Sequence, residues 1–443
     1  MLFMLRKKHL SSSQIIIFGF MGTIFIGTLL LMLPISSASG VITSFSDSLF
    51  TATSAVCVTG LVVHDTACYW SAFGQLVILL MIQIGGLGIV TIAVSTALLY
   101  GKKIGLMQRS TLKEAISAQK VGGIVRLTGF ILKTTFIIEL IGAVALCSVF
   151  CPDFGIKGVW LGIFHFVSAF CNAGFDLLGS VSPYSSLTAY SAEPLLNFII
   201  IILIITGGIG FLVWEDINVN RLNIKKYRMQ SKVVLSVTAV LLILPFIYFY
   251  FYEFRGIRGY ERFYISLFQT VTPRTAGFNT TDLTGLSDIG KTITVFLMLI
   301  GGSPGSTAGG MKTTTIAVLI FSAISVFGKK DDVECFERRI SDETIKNAAA
   351  ILLMYLILFT GGGLIISVKE RLPLSVCLFE TASAIGTVGL SLGITPILGN
   401  ISRAVLILLM FFGRVGGLTL IFAAVSNIHK NISKKPQEKI TVG

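Results

Sequence analysis

The sequence predicts an all-α polytopic membrane protein. It is built from four pseudo-symmetric span–re-entrant loop–span units, giving eight transmembrane helices around a central axis. Three observations carry this. The 443 residues are 53% hydrophobic and only 13% charged, with a mean hydropathy of +0.85. Apolar runs of the roughly 20 residues that a spanning helix needs recur along the chain. Lys and Arg gather in alternate connections between these runs: the N-terminus, 101–133, 215–232, 328–346 and the C-terminus hold 24 of the 35. The positive-inside rule expects this of cytoplasmic loops. It accounts for the net charge of +13 without a nucleic-acid partner.

Unit one (1–114) opens with the span Ile15–Pro34, which follows Arg6, Lys7 and Lys8. The chain continues into further membrane segments, so this reads as a first span with a cytoplasmic N-terminus and not as a cleaved signal. Thr43–Asp65 is too polar and glycine-interrupted for a span and reads as a re-entrant loop, and Phe73–Tyr100 is the second span. Unit two (115–229) repeats the pattern with Phe130–Phe150, the loop Trp160–Phe175 and Leu195–Trp214. Unit three (230–345) has Val233–Tyr252, the loop Thr270–Thr280 and a long interrupted run, Ile289–Phe327. Unit four (346–443) has Ala348–Val368, the loop Leu374–Ser391, the span Val405–Val425 and a basic, cytoplasmic C-terminus. Seven cysteines, mostly in apolar context, show no metal-ligand spacing and read as small buried residues.

The repeat is kept in register. The loop tips read V-T-G-L at Gly60, N-A-G-F at Gly174, T-A-G-F at Gly277 and T-V-G-L at Gly389. A second glycine step follows each tip, at Gly85, Gly207, Gly301 and Gly413. A phenylalanine stands ten residues before the tip glycine in three units (Phe50, Phe164, Phe379), and Phe268 stands nine before it in the third. That offset predicts a third half-helix one residue short. Fixed-period self-similarity of this kind marks a repeat architecture.

Four such loops can surround a central pore. Irregular backbone at membrane depth is tolerated only where it is buried in protein or lines a water-filled cavity. The stretch before each tip suits a half-helix, whose C-terminal end carries about half a negative charge and favours a cation beyond it. Tip carbonyls can then replace a cation's hydration shell, and glycine keeps a Cβ off the axis. The four tips carry no carboxylate; Asp65, Asp176 and Asp282 follow three of them and suit either an outer mouth or solvated loops.

These units resemble the KtrB/TrkH/HKT superfamily of potassium transporters over essentially the whole chain, and KtrB in length and span count. The resemblance implies a selectivity filter of Val58, Thr59, Gly60, Asn172, Ala173, Gly174, Thr275, Ala276, Gly277, Thr387, Val388 and Gly389, with K+ held at backbone carbonyls. Glycine at all four positions implies potassium over sodium. It also implies a homodimer in the cell membrane, bound to a KtrA-like cytoplasmic ring. ATP or ADP would then bind that partner, because no dinucleotide-binding domain is evident in this chain.

The interrupted run of unit three, segment 301–315, contains Gly301, Gly302, Ser303, Pro304, Gly305, Ser306, Thr307, Ala308, Gly309 and Gly310. A phosphate-binding P-loop is disfavoured because Met311 separates Gly310 from Lys312. The match to G-x-S-x-G around Ser303 raises an intramembrane serine hydrolase, which needs a nearby histidine and acid. His9 and His429 are near the termini, and His64 and His165 read as external. A third reading, supported by the resemblance, is a gate below the filter. Arg414, in an otherwise apolar run, is expected to donate to carbonyls of that loop, since an intramembrane charge is costly. Glu139 and Glu380 read as helix-packing hydrogen-bond partners. The expected function is gated, passive potassium uptake without enzymatic activity or a covalent cofactor. Sodium-coupled symport on the same fold, with Na+ as co-substrate, stays open.

Overall fold

The computed structural model describes residues 11–100, 104–118, 122–417 and 419. Arg6, Lys7 and Lys8, the end of the expected span Val405–Val425 and the basic C-terminal tail lie outside the described residues.

Each unit begins with a long apolar helix followed by a short buried one. In unit one these are α1 (Ser12–Met32), opened by a Ser11/Gln14 capping box, and α2 (Phe45–Val56), whose N-cap Ser44 accepts from Asp47 N. After a turn of helix α3 (Thr66–Tyr69), the second element is α4 (Ala72–Leu87) and α5 (Ile89–Leu99). Helix α6 (Leu106–Ala115) connects to unit two, which comprises α7 (Ile124–Phe154), α8 (Lys157–Phe170), α9 (Pro194–Ile209) and α10 (Phe211–Asn220). Unit three has α11 (Met229–Tyr248), α12 (Gly259–Val271), α13 (Asp288–Leu299) and α14 (Thr313–Phe327). Unit four has α15 (Asp342–Glu370), α16 (Leu374–Gly386) and α17 (Asn400–Val415). One hairpin, β1 (Glu334–Cys335) with β2 (Arg338–Arg339), interrupts the all-helical pattern in the basic segment between α14 and α15. The unit boundaries expected at 114, 229 and 345 fall within α6, α11 and α15.

The first helix of each unit is long and continuous, whereas the second elements of units one to three are bent or broken. Among the described residues, four helices are long and apolar enough to cross a membrane: Ser12–Met32, Ile124–Phe154, Met229–Glu253 and Asp342–Glu370. The second elements of units one and two are bent pairs, by 92° between α4 and α5 and by 95° between α9 and α10. Gly88 (φ +86°) and Gly210 (φ +101°) make these bends, in a conformation that a Cβ excludes. Gly416 (φ +87°) ends α17 in the same way. In unit three the break is wider, the whole segment between Leu299 and Thr313.

The short helices α2, α8, α12 and α16 form the inside of the molecule. Phe50, Phe164, Phe268 and Phe379 are all buried. The long helices turn apolar side chains outward, among them Phe18, Phe25, Leu140, Ile141, Ile243 and Leu353. Such a belt would be an aggregation surface in water but matches a hydrocarbon solvent.

Candidate functional site

The four tips have one backbone design. The residue two before each glycine is left-handed: Val58 (φ +57°), Asn172 (φ +59°), Thr275 (φ +70°) and Thr387 (φ +50°). The glycines themselves have φ of +93°, +67°, +82° and +94° at Gly60, Gly174, Gly277 and Gly389. Left-handed backbone is rare outside glycine, and strain of this kind clusters at functional sites.

The tips meet in a closed ring. A Cβ on Gly60 would collide with the carbonyl oxygen of Ala173, on Gly174 with that of Ala276, on Gly277 with that of Val388, and on Gly389 with that of Thr59. The order is thus one, two, three, four and back to one. Thr59 Oγ1, Asn172 Oδ1 and Thr387 Oγ1 are buried here without a hydrogen-bond partner. An unpartnered buried oxygen costs free energy unless a ligand or water satisfies it.

Each tip is tied to its short helix through a hydroxyl. Gly60 N donates to Ser54 Oγ at 3.1 Å, and Gly389 N to Ser383 Oγ at 3.0 Å. Ser168 Oγ donates to Phe175 O at 2.7 Å, and Thr272 Oγ1 donates to Phe278 O. These hydroxyls all stand four residues after the repeated phenylalanine. Helix α12 nonetheless ends at Val271, three residues after Phe268, whereas α2, α8 and α16 end six, six and seven residues after Phe50, Phe164 and Phe379, so the third half-helix is the short one. The turn differs as well: Ala276 N bonds four residues back to Thr272 O, while Thr59, Ala173 and Val388 each bond five back.

Above the ring is a cup of about 340 Å³, lined by the four glycines and by Asp65, Asp176 and Asp282. The three acids differ. Asp65 accepts from Ala67 N, Cys68 N and Tyr184 N, and Asp282 accepts from Thr284 N and its hydroxyl. Asp176 accepts one bond, from Leu178 N through Oδ1, which leaves its other oxygen to the cup.

Below the ring lies the segment between α13 and α14. Ser303 N donates to Gly208 O at 3.0 Å, Thr307 N to Gly207 O at 3.2 Å and Gly310 N to Gly413 O at 3.1 Å. Phe211 N donates to Gly305 O at 2.7 Å. Thr307 Oγ1 donates at 3.0 Å to Phe170 O, at the end of the second half-helix. The Thr387 side chain fills the place where a Cβ on Gly309 would stand. Arg414 donates to Thr307 O, Gly85 O and Gly86 O, and Lys312 Nζ to Ala308 O at 2.8 Å and Gly309 O at 3.1 Å. Both cations border a second cavity of about 260 Å³ on the far side of the segment.

A profile described as "TrkH: Cation transport protein" matches residues 8–434. The chain belongs to the TrkH family of cation transport proteins. It is 43% identical to a potassium/sodium uptake protein of Enterococcus hirae, over 99% of this chain and 98% of that one. It is 38% identical to Ktr system potassium uptake protein B of Bacillus subtilis, over 97% of this chain and 96% of the other. The crystal structure of the potassium transporter TrkH from Vibrio parahaemolyticus has the same fold, with a TM-score of 0.74 at 19% identity, covering 94% of this chain and 86% of that one.

The TrkH-family chain is thus an integral membrane protein of a transporter family, not of an enzyme family. Ser303 Oγ meets Thr313 Oγ1 at 3.2 Å, and among the described residues no histidine or acid is a hydrogen-bond partner of it. His165, expected in an external segment, is buried within α8, with Nδ1 2.8 Å from Leu161 O. Gln83 Nε2 donates to Glu139 at 2.5 Å, joining α4 to α7. The sequence reading missed the four tip hydroxyls, although their fixed offset from Phe50, Phe164, Phe268 and Phe379 was available. It also missed Lys312 as a ligand of the loop, and the ion pair of Asp47 with Arg403 at 2.7 Å, which joins units one and four. No local pattern marks those two.

Proposed function

We propose that this chain takes up potassium by gated, passive permeation along the axis of the ring. In this reading the four units (1–114, 115–229, 230–345 and 346–443) surround one pore. Residues 58–60, 172–174, 275–277 and 387–389 form the filter, and K+ is the cargo held at their carbonyls. The observation that carries the reading is the closed contact of four left-handed glycines, each excluding a Cβ in favour of its neighbour's carbonyl. The C-terminal ends of α2, α8, α12 and α16, all close to their tips, add negative potential there. The potassium uptake named for the relatives supports the choice of cargo.

Segment 301–310 is the gate in this reading, and Arg414 its clasp. It lies between the ring and the lower cavity, and its bonds reach the glycine steps of units two and four. The cup faces outward, and the basic connections and both termini face the cytoplasm. There the basic loops would dock a nucleotide-binding regulatory ring against a homodimer. The deciding experiment is uptake of K+ and Na+ in competition, with purified protein in liposomes. Passive permeation predicts potassium flux down its own gradient with no sodium present. Sodium-coupled symport, favoured by the wording "potassium/sodium" in one relative's name, predicts that flux stops when sodium is removed.

A further inference from the structure

Directly after the repeated phenylalanine, each half-helix carries a different buried polar side chain: Thr51, His165, Gln269 and Glu380. Three of the four have hydrogen bonds that leave their own helix, and they leave it in different directions. His165 Nε2 accepts from Leu177 N at 3.4 Å, beyond the second tip. Gln269 reaches away from its tip, to Thr294 on α13 at 3.3 Å. Glu380 reaches past the fourth tip to two hydroxyls: Ser391 Oγ donates to Oε1 at 3.1 Å, and Thr395 Oγ1 donates to the same oxygen. Those two hydroxyls are also in contact with each other at 3.3 Å, and both residues line the cup.

Glu380 is wholly buried, Oε2 has no partner, and it takes part in no ion pair among the described residues. A buried carboxyl without a cation is expensive, and an apolar side chain would serve helix packing as well. Its cost is explained if the position needs an acceptor that spans the tip. The chain leaves α16, passes Thr387, Val388 and Gly389, and returns at Ser391. Ser383 holds the glycine N–H from below, and Glu380 holds the segment that leads from the tip into the cup. The fourth tip is thus tied on both sides of its glycine.

We propose that Glu380 is a positioning residue that sets cation discrimination by fixing the height of the fourth tip through Ser391 and Thr395. This rests on the filter reading above. What the position requires is an oxygen acceptor facing two hydroxyls, which an amide also supplies.

The test is competing K+ and Na+ uptake by full-length dimers in liposomes, with Glu380→Ala, Glu380→Gln and the double variant Ser391→Ala/Thr395→Val. Glu380→Ala is expected to lower potassium preference about tenfold, equivalent to about 1.4 kcal/mol. The hydroxyl double variant should do the same from the other side of the contact, and it keeps the test open if Glu380→Ala does not fold. Glu380→Gln should stay within about twofold of the parent, on the scale where tenfold is about 1.4 kcal/mol. Unchanged preference in both Glu380→Ala and the double variant overturns the proposal, as does a loss in Glu380→Gln equal to that in Glu380→Ala. Gly389→Ser run alongside separates the two levels. If it shifts preference while Glu380→Ala does not, only the tether fails; if it shifts nothing, the filter reading itself fails.

Discussion

Gly277→Ser perturbs the ring at a crowded point. The added Cβ would collide with Val388 O, while lying 3.1 Å from Gly174 Cα and 3.3 Å from Gly389 Cα, so one substitution presses on two neighbouring tips. The backbone there is at φ +82°, a conformation that costs a residue with a Cβ about 1–2 kcal/mol. To reach an ordinary separation of about 3.5 Å the carbonyl must retreat by about an ångström. No flexible side chain can absorb that movement, because all three neighbouring atoms are backbone. If the ring relieves the strain by opening, about 1–2 kcal/mol is lost from potassium discrimination, a factor of about 5–30. Competition between K+ and Na+ for uptake in liposomes reads this directly. Gly22→Ser on α1, where an added Cβ meets nothing within 4 Å, controls for serine as such. A Gly277→Ser protein that folds and keeps its full potassium preference would refute the filter assignment.

Three further outcomes are expected. Deleting Ser303–Gly309 removes the bonds to Gly207 and Gly208 and should raise basal flux several-fold, scored as rubidium uptake without any cytoplasmic partner; an intact protein with unchanged flux would reduce the segment to packing. Arg414→Gln loses most of three carbonyl contacts and should raise basal flux in the same direction but by less, with no further rise when combined with the deletion; additive effects would separate the arginine from the loop. Asp176→Asn removes a carboxylate facing the cup and should weaken apparent potassium affinity about two- to fivefold at low ionic strength, consistent with about 1 kcal/mol for a nearby charge near water. That difference should shrink at high salt, whereas Asp65→Asn should chiefly lower thermal stability, because Asp65 is occupied by three N–H groups.

Much of the architecture is written locally. Composition determined the solvent, because no water-soluble core could use so much apolar surface. The distribution of Lys and Arg, the four glycine tips and the phenylalanines before them placed the four loops, and each of these signals lies within a few turns of one element. The positions of the second glycine steps were also legible, but their purpose was not. Gly85, Gly207 and Gly413 are bare because a Cβ would strike the carbonyls of Val56, Phe170 and Ile385 at the ends of the half-helices. Only the packed structure brings those atoms together.

The tertiary structure decided what depends on residues far apart in the chain. It bent the second elements at Gly88 and Gly210, although hydropathy runs on unbroken through both bends. It ended the third half-helix at Val271, three residues after Phe268, and closed that tip with a bond from Ala276 N four residues back to Thr272 O where the other tips reach five back. It joined the four tips in cyclic order and gave Arg414 its partners in units one and three. Period and composition act along the chain. Which carbonyl faces which glycine depends on how four separate units close, and no local pattern carries that closure.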